Sequence, residues 1–188
     1  MPEPELTEAP TVIALIGMPG GGKSTVGKLL AQRLGVSFAD ADEAIERRAG
    51  ASIASLFEHQ GEAAFRDLES TVLRELVETR TGVIATGGGS LLRADNRALL
   101  RDCTVPIYLH ATLDELWRRV RRNNRRPLLR VADPRARLQA LYEERHPLYV
   151  GVAAFSVETG KPPLAAVVDA IVARLGPPRG GPPADEWT

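Results

Sequence analysis

Apolar positions along the chain fall into short continuous runs separated by longer stretches with helical spacing. Residues 11–16 (TVIALI) form one such run between Pro10 and Gly17, the pattern of a strand buried on both faces. Val26, Leu29, Leu30 and Leu34 then recur on one face of a helix predicted over 23–34. The alternation continues with a strand over 36–39, helices from 42 to about 80, a strand over 83–85, a helix over 94–101 and a strand over 105–109. Thr112 and Glu115 have capping-box spacing and open a helix that reaches about residue 122. Beyond an arginine-rich stretch come a helix at about 133–146, a strand near 153–157 and a last helix over 164–175. Strands alternating with helices predict an α/β domain whose parallel sheet is covered on both sides, with ligands at the carboxyl ends of the strands. Chemistry-bearing residues are therefore sought in the strand-to-helix loops.

Composition changes this picture only at the edges. A length of 188 residues suits one domain. Residues 1–10 and the GPPRGGPP-containing segment 176–188 lack apolar periodicity and are expected to be flexible ends around a domain at 11–175. Twenty-four basic and twenty-four acidic residues leave no net charge, which removes the general electrostatic case for a nucleic-acid or anionic-membrane partner. No apolar run is long enough to span a bilayer, and the acidic, Pro-rich first ten residues lack a secretory pattern. The single cysteine, Cys103, cannot close an internal disulfide, and no Cys/His cluster has zinc spacing. A cytoplasmic protein is expected, with Cys103 an inert packed residue at the start of a strand.

Gly17-Met18-Pro19-Gly20-Gly21-Gly22-Lys23-Ser24 fits GxxxxGK[ST] between a predicted strand and a predicted helix, the context that gives this motif its meaning. Gly20, Gly21 and Gly22 let backbone N–H groups wrap a phosphate, Lys23 reaches the β- and γ-phosphates, and the Ser24 hydroxyl can ligate magnesium. Thr25 reads first as a helix residue and stays with the loop as a nucleotide-contacting candidate. ATP or GTP is implied. A guanine-reading NKxD segment is missing, and Val83-Ile84-Ala85 runs into Thr86-Gly87-Gly88-Gly89 with no Walker-B carboxylate. Small-molecule phosphotransfer becomes the leading class.

The remaining loops hold the acceptor candidates. Asp40 and Asp42 stand two residues apart after the second strand. Asp40 can support magnesium, while Asp42 either orients a hydroxyl toward the phosphate or simply caps the next helix. Arg66, in a helical stretch with Phe65 and Leu68, can take a carboxylate by two-point contact or sit in solvent. The Gly87-Gly88-Gly89 triplet either admits a ligand close to the backbone or is a plain turn. Nine arginines lie between residues 118 and 137, interrupted by Asn123, Asn124 and Pro127, which reads as a mobile basic flap closing over phosphates. The same cluster can instead grip RNA, although no aromatic residue lies within it to stack bases. His59, His110 and His146 do not converge by spacing on a metal or base role, and Trp117 reads as packing.

Taken together, GMPGGGKST, FADAD followed by AIE, GEAAFRDLE, TGGGS, RRPLL and ERHPLY, in that order, resemble the shikimate kinase family over nearly the whole predicted domain. The resemblance implies a three-layer α/β/α P-loop kinase fold of the nucleoside-monophosphate-kinase type, with a five-stranded parallel sheet and a mobile lid at about 121–132. It implies transfer of the γ-phosphoryl of ATP to the 3-hydroxyl of shikimate by a cytosolic enzyme, expected to be a monomer. By that comparison Lys23 and Ser24 serve ATP and magnesium, and Asp40 supports the metal. Asp42 holds the reacting hydroxyl, Arg66 and Arg145 bind the shikimate carboxylate, and Gly87, Gly88 and Gly89 line the ring. Arg126 is the lid arginine meeting the phosphates, Arg119 stacks on adenine, and Lys161 and Pro163 are adenine-side candidates. Without the comparison Arg145 reads as a salt-bridging residue at a helix end. The alternatives are another small-metabolite kinase, such as a gluconate kinase, and a nucleotide-dependent RNA-binding module.

Overall fold

The computed structural model describes residues 12–79, 82–121 and 131–176. Arg126, most of the expected lid, residues 1–10 and all but Gly176 of the expected end at 176–188 lie outside the described residues. Five parallel strands, β1 (Ile13–Ile16), β2 (Phe38–Asp40), β3 (Val83–Ala85), β4 (Val105–His110) and β5 (Phe155–Glu158), form one sheet in the order β2-β3-β1-β4-β5. The central strand β1 pairs with β3 on one side and β4 on the other, with Leu15 opposite both Ala85 and Ile107. Because the chain leaves β1 toward one edge and later crosses to the other, the loop after β1 opens at the switch point of the sheet.

Period-two alternation assigns the two layers. Ile13 and Leu15 face a core built with Val26 and Leu30 of α1 (Lys23–Leu34) and Val167 and Ile171 of α7 (Leu164–Leu175). Ala14 and Ile16 face the opposite core, which holds Leu73, Leu100, Leu116, Leu138 and Tyr149. Those residues come from α3 (Ile53–Glu78), α4 (Ala94–Cys103), α5 (Leu113–Val120) and α6 (Pro134–Val152). A satellite cluster of Ile45, Leu56, Phe65 and Val72 joins α2 (Ala41–Ala49) to α3. No helix among the described residues is long and apolar enough to cross a membrane.

The expected elements are all present, with four differences that have local causes. β2 begins at Phe38 rather than 36, because Gly35 (φ 67°) ends α1 in a left-handed turn and the Val36 N–H donates back to Ala31 O at 3.0 Å. This is a Schellman closure, and it holds Val36 at the helix exit. The helices expected from 42 to about 80 divide at Gly50, and the second of them is kinked at Gly61 (φ 81°, ψ 170°). The sixth helix does not stop before Pro147 but runs to Val152. Pro147 is exposed, so the Glu143 carbonyl it leaves without an N–H partner is on the wet side, while Leu141, Arg145, Tyr149 and Val152 anchor the buried side. Finally, Cys103 is the last residue of α4 and exposed, not packed in a strand.

Leu15 is fully buried in the central strand. Leu15→Ala is expected to lower the unfolding free energy by about 2–5 kcal/mol. The change should appear in urea titration as a lower midpoint with an unchanged slope.

Candidate active site

The phosphate loop follows directly from β1. Gly20 (φ 84°) and Gly22 (φ 91°) occupy left-handed conformations that β-bearing residues rarely adopt, and a Cβ on Gly20 would also meet Val120 Cγ1 at 2.7 Å. Gly22 caps α1 without any side chain, so the first N–H groups of that helix keep no side-chain acceptor and point into the cleft as an anion site. Lys23 curls over the loop, donating to Gly17 O at 2.8 Å and Met18 O at 3.0 Å. Ser24 is half-buried beside it, and Thr25 is exposed on the first turn.

One carboxylate of the Asp40/Asp42 pair performs the capping. Asp40 is the N-cap of α2 and accepts from Asp42 N at 2.9 Å and Glu43 N at 3.4 Å through Oδ1. Its other oxygen accepts the Ser24 hydroxyl, which couples the end of β2 to the phosphate loop. Asp42 is therefore not the cap. Its Oδ1 lies 2.9 Å from where a Cβ on Gly87 would sit.

Arg66 is not a solvated helix residue: it is only 7% exposed and lies beside Glu69, which is 2% exposed. Its Nη1 donates to Glu69 Oε2 at 2.7 Å and its Nη2 to Glu62 Oε1 at 3.3 Å, while the guanidinium lies 5.2 Å from the Phe65 ring centroid. The glycine triplet makes room for these groups. A Cβ on Gly87 would approach Glu69 Oε1 to 2.6 Å, one on Gly88 would approach Pro19 Cδ to 2.9 Å, and one on Gly89 would collide with the Arg66 guanidinium. None of the three has a positive φ, so close approach rather than backbone freedom demands glycine here.

Arg145 lies in the middle of α6 and is 4% exposed. Its nearest carboxylate, Glu144, is 3.8 Å away, and its buried Nε and Nη1 have no hydrogen-bond partner. Lys23, Ser24, Asp40, Asp42, Arg66, the glycine triplet and Arg145 all line one cleft of about 1130 Å³. An enclosed guanidinium with unsatisfied N–H groups is costly unless an anion joins it.

The other end of the cleft is closed by the turn after β5. Arg119 donates to Gly20 O at 3.2 Å and to Thr159 O, and the Thr159 hydroxyl reaches Gly21 O at 3.2 Å and His110 O at 3.1 Å. A Cβ on Gly160 would overlap the Glu115 carboxylate. That carboxylate accepts from Thr112 N at 2.8 Å, which holds its pKa below the usual value. Lys161 is exposed, and it and Pro163 stand outside the cleft lining, to which Pro162 and Leu164 contribute instead.

Sequence reasoning passed over Glu69, Thr159 and Tyr149. The i+3 spacing of Glu69 from Arg66 was the available signal for the first; Tyr149 stood at the end of ERHPLY, four residues after Arg145, without being given a role, and Thr159 carried no spacing signal. His110 and His146, unconnected by spacing, have ring centroids 5.5 Å apart, with His110 bonded to Glu158 and Tyr142 and His146 to Tyr108. Among the described residues no group of three or more His, Cys, Asp or Glu side chains forms a metal cluster.

Comparison with known proteins agrees with this geometry. The family model for shikimate kinase matches residues 19–176. A Burkholderia pseudomallei shikimate kinase is 45% identical over 163 residues, covering 87% of this chain and 89% of the relative. The structure of shikimate kinase from Acinetobacter baumannii in complex with shikimate superposes with a TM-score of 0.85 at 39% identity, covering 89% of this chain and 94% of that one. A gluconokinase from Sinorhizobium meliloti shares the fold alone, with a TM-score of 0.58 at 23% identity. The match across family, relatives and structure means that this chain belongs to the shikimate kinase family of ATP-dependent phosphotransferases.

Proposed function

We propose that the chain transfers the γ-phosphoryl group of ATP to the 3-hydroxyl of shikimate, giving shikimate 3-phosphate and ADP on the route to chorismate and the aromatic amino acids. Arg145 carries this reading: a buried guanidinium with two unpartnered nitrogens in the phosphate-loop cleft fits an acceptor that brings its own carboxylate. Arg66, held flat against Gly89, supplies the second cation for that carboxylate. Asp42 accepts the hydrogen bond of the reacting hydroxyl and turns its oxygen toward the phosphate loop. Lys23 and the N–H groups of Gly20, Gly21 and Gly22 take the charge of the β- and γ-phosphates. Positioning and electrostatic stabilisation supply most of the catalysis, as expected when the transferred group is metaphosphate-like.

Ser24 and Asp40 form an all-oxygen pair at the phosphate loop, a donor set that fits Mg²⁺, which takes few protein ligands and completes its shell with water and phosphate oxygens. When bound there, Mg²⁺ neutralises phosphate charge and fixes the in-line geometry. Asp40 keeps one oxygen for the helix cap and turns the other to Ser24, so these two side chains would hold the ion together. Arg119 presents its guanidinium plane to adenine, with Thr25 and the 159–163 turn beside it. Arg126, outside the described residues, is assigned to the transferring phosphates in a lid at 121–132. We place the enzyme in the cytoplasm, a location the lone cysteine supports, as a monomeric kinase unit over 11–175.

Purified protein with ATP and Mg²⁺ should consume ATP with shikimate as acceptor and leave gluconate untouched; turnover of gluconate without shikimate overturns the assignment. Lys23→Ala should lower kcat about 10²–10³-fold with an unchanged melting temperature, as removal of one charge-stabilising donor does elsewhere. Arg145→Lys retains the charge but loses the planar fork. It should raise the shikimate KM about 10–100-fold while the ATP KM stays within about twofold, which two-substrate kinetics will resolve.

A further inference from the structure

Three carbonyls of the glycine turn are held in two different ways. Gly87 O accepts from Ser90 N at 3.2 Å and Gly89 O from Leu92 N at 3.1 Å, so both are secured within the turn itself. Gly88 O is secured from outside: the Tyr149 hydroxyl of α6 donates to it at 2.5 Å. On its other side Gly88 abuts Pro19 of the phosphate loop, where a Cβ would meet Pro19 Cδ at 2.9 Å. The middle residue of the acceptor turn is thus clamped between α6 and the nucleotide loop.

Tyr149 is suited to hold that position. It follows Arg145 by four residues and so projects from the same face of α6 one turn along. Its side chain is 0% exposed, and its ring lies 5.1 Å from that of Tyr108 on β4, which leaves the hydroxyl little freedom. Burial pushes its pKa well above the ordinary tyrosine value, the nearby Arg145 opposing in part, so the group stays a donor throughout the working range. A displacement of Gly88 would carry Gly87 away from Asp42 and Glu69 and Gly89 away from Arg66.

We propose that Tyr149 is a positioning residue for the acceptor pocket: by holding the Gly88 carbonyl it sets the spacing between Arg145 on α6 and the glycine turn that carries Asp42 and Arg66 against it. This inference rests on the shikimate reading given above. Tyr149 touches neither reacting atom. It acts through the distance between the two sides of the carboxylate-bearing ring, and that action falls on shikimate and not on ATP.

Tyr149→Phe keeps the ring and removes the one oxygen. The expected result is a shikimate KM raised about tenfold, the size expected for one buried hydrogen bond, with kcat and the ATP KM within about twofold of wild type. Tyr142→Phe serves as the comparison, since its hydroxyl belongs to the same ring cluster but bonds His110 Nε2 at 2.9 Å instead of the turn. That variant should leave both KM values within about twofold. An unchanged shikimate KM in Tyr149→Phe overturns the proposal, as does an equal rise in Tyr142→Phe. A Phe variant that fails to fold, or whose two KM values rise together as its melting temperature falls, makes Tyr149 purely structural and overturns it as well. Wild-type protein that neither binds shikimate by calorimetry nor phosphorylates it defeats the acceptor assignment, and this inference with it; normal wild-type turnover with a silent Tyr149→Phe defeats only this inference.

Discussion

Two guanidinium groups taken out of water at one end of a parallel sheet are the constraint around which the site is arranged. A buried cation demands either a carboxylate of the protein or an anionic ligand. Arg66 has the first in Glu69, and Arg145 keeps two nitrogens for the second. Both keep unfilled hydrogen-bonding capacity, one buried nitrogen (Nε) on Arg66 and two on Arg145, while Arg66 is in addition held by ion pairs to Glu69 and Glu62. Two of the three glycines follow from the same constraint, because Glu69 lies so near Gly87 and Arg66 so near Gly89 that a Cβ would displace them, whereas Gly88 is hemmed in by Pro19.

The nucleotide side rests on shared groups. Asp40 closes the first turn of α2 with one oxygen and reaches Ser24 with the other, so helix start and phosphate loop keep a common register. Arg119 and Thr159 tie the carbonyls of Gly20 and Gly21 to the turn after β5, which sets the entrance to the loop from the opposite edge of the sheet. The loop is consequently held by side chains from distant elements, while its Gly20-Gly21-Gly22 stretch stays bare of Cβ atoms.

Much of this was legible in the residue order. The strand and helix alternation, the phosphate loop with Lys23 and Ser24, and the Thr112–Glu115 capping box depend on local spacing, and each stands where spacing puts it. Spacing could not say which of Asp40 and Asp42 caps the helix, because either can reach an N–H and only the backbone angle at residue 40 decides. It misjudged the end of α6, which continues past Pro147 with the orphaned carbonyl on the wet face, because which face is buried is a tertiary property. Arg145 was read through family resemblance alone, and the glycine triplet was left open between a ligand-admitting loop and a plain turn until the resemblance decided it, because what distinguishes them is the company they keep from other elements. The Tyr149 contact with Gly88 was hidden for the same reason, although the residue itself closes the ERHPLY segment.

Pro147 has a consequence for how the protein comes together. A helix interrupted by proline forfeits a backbone bond at its middle and has little intrinsic tendency to continue beyond it. The last turn and a half of α6 is therefore ordered by docking, once the strands and the turn before α4 are in place to receive the Tyr149 side chain. The acid-binding corner, which depends on that turn and a half, is thereby tied to the completion of the sheet.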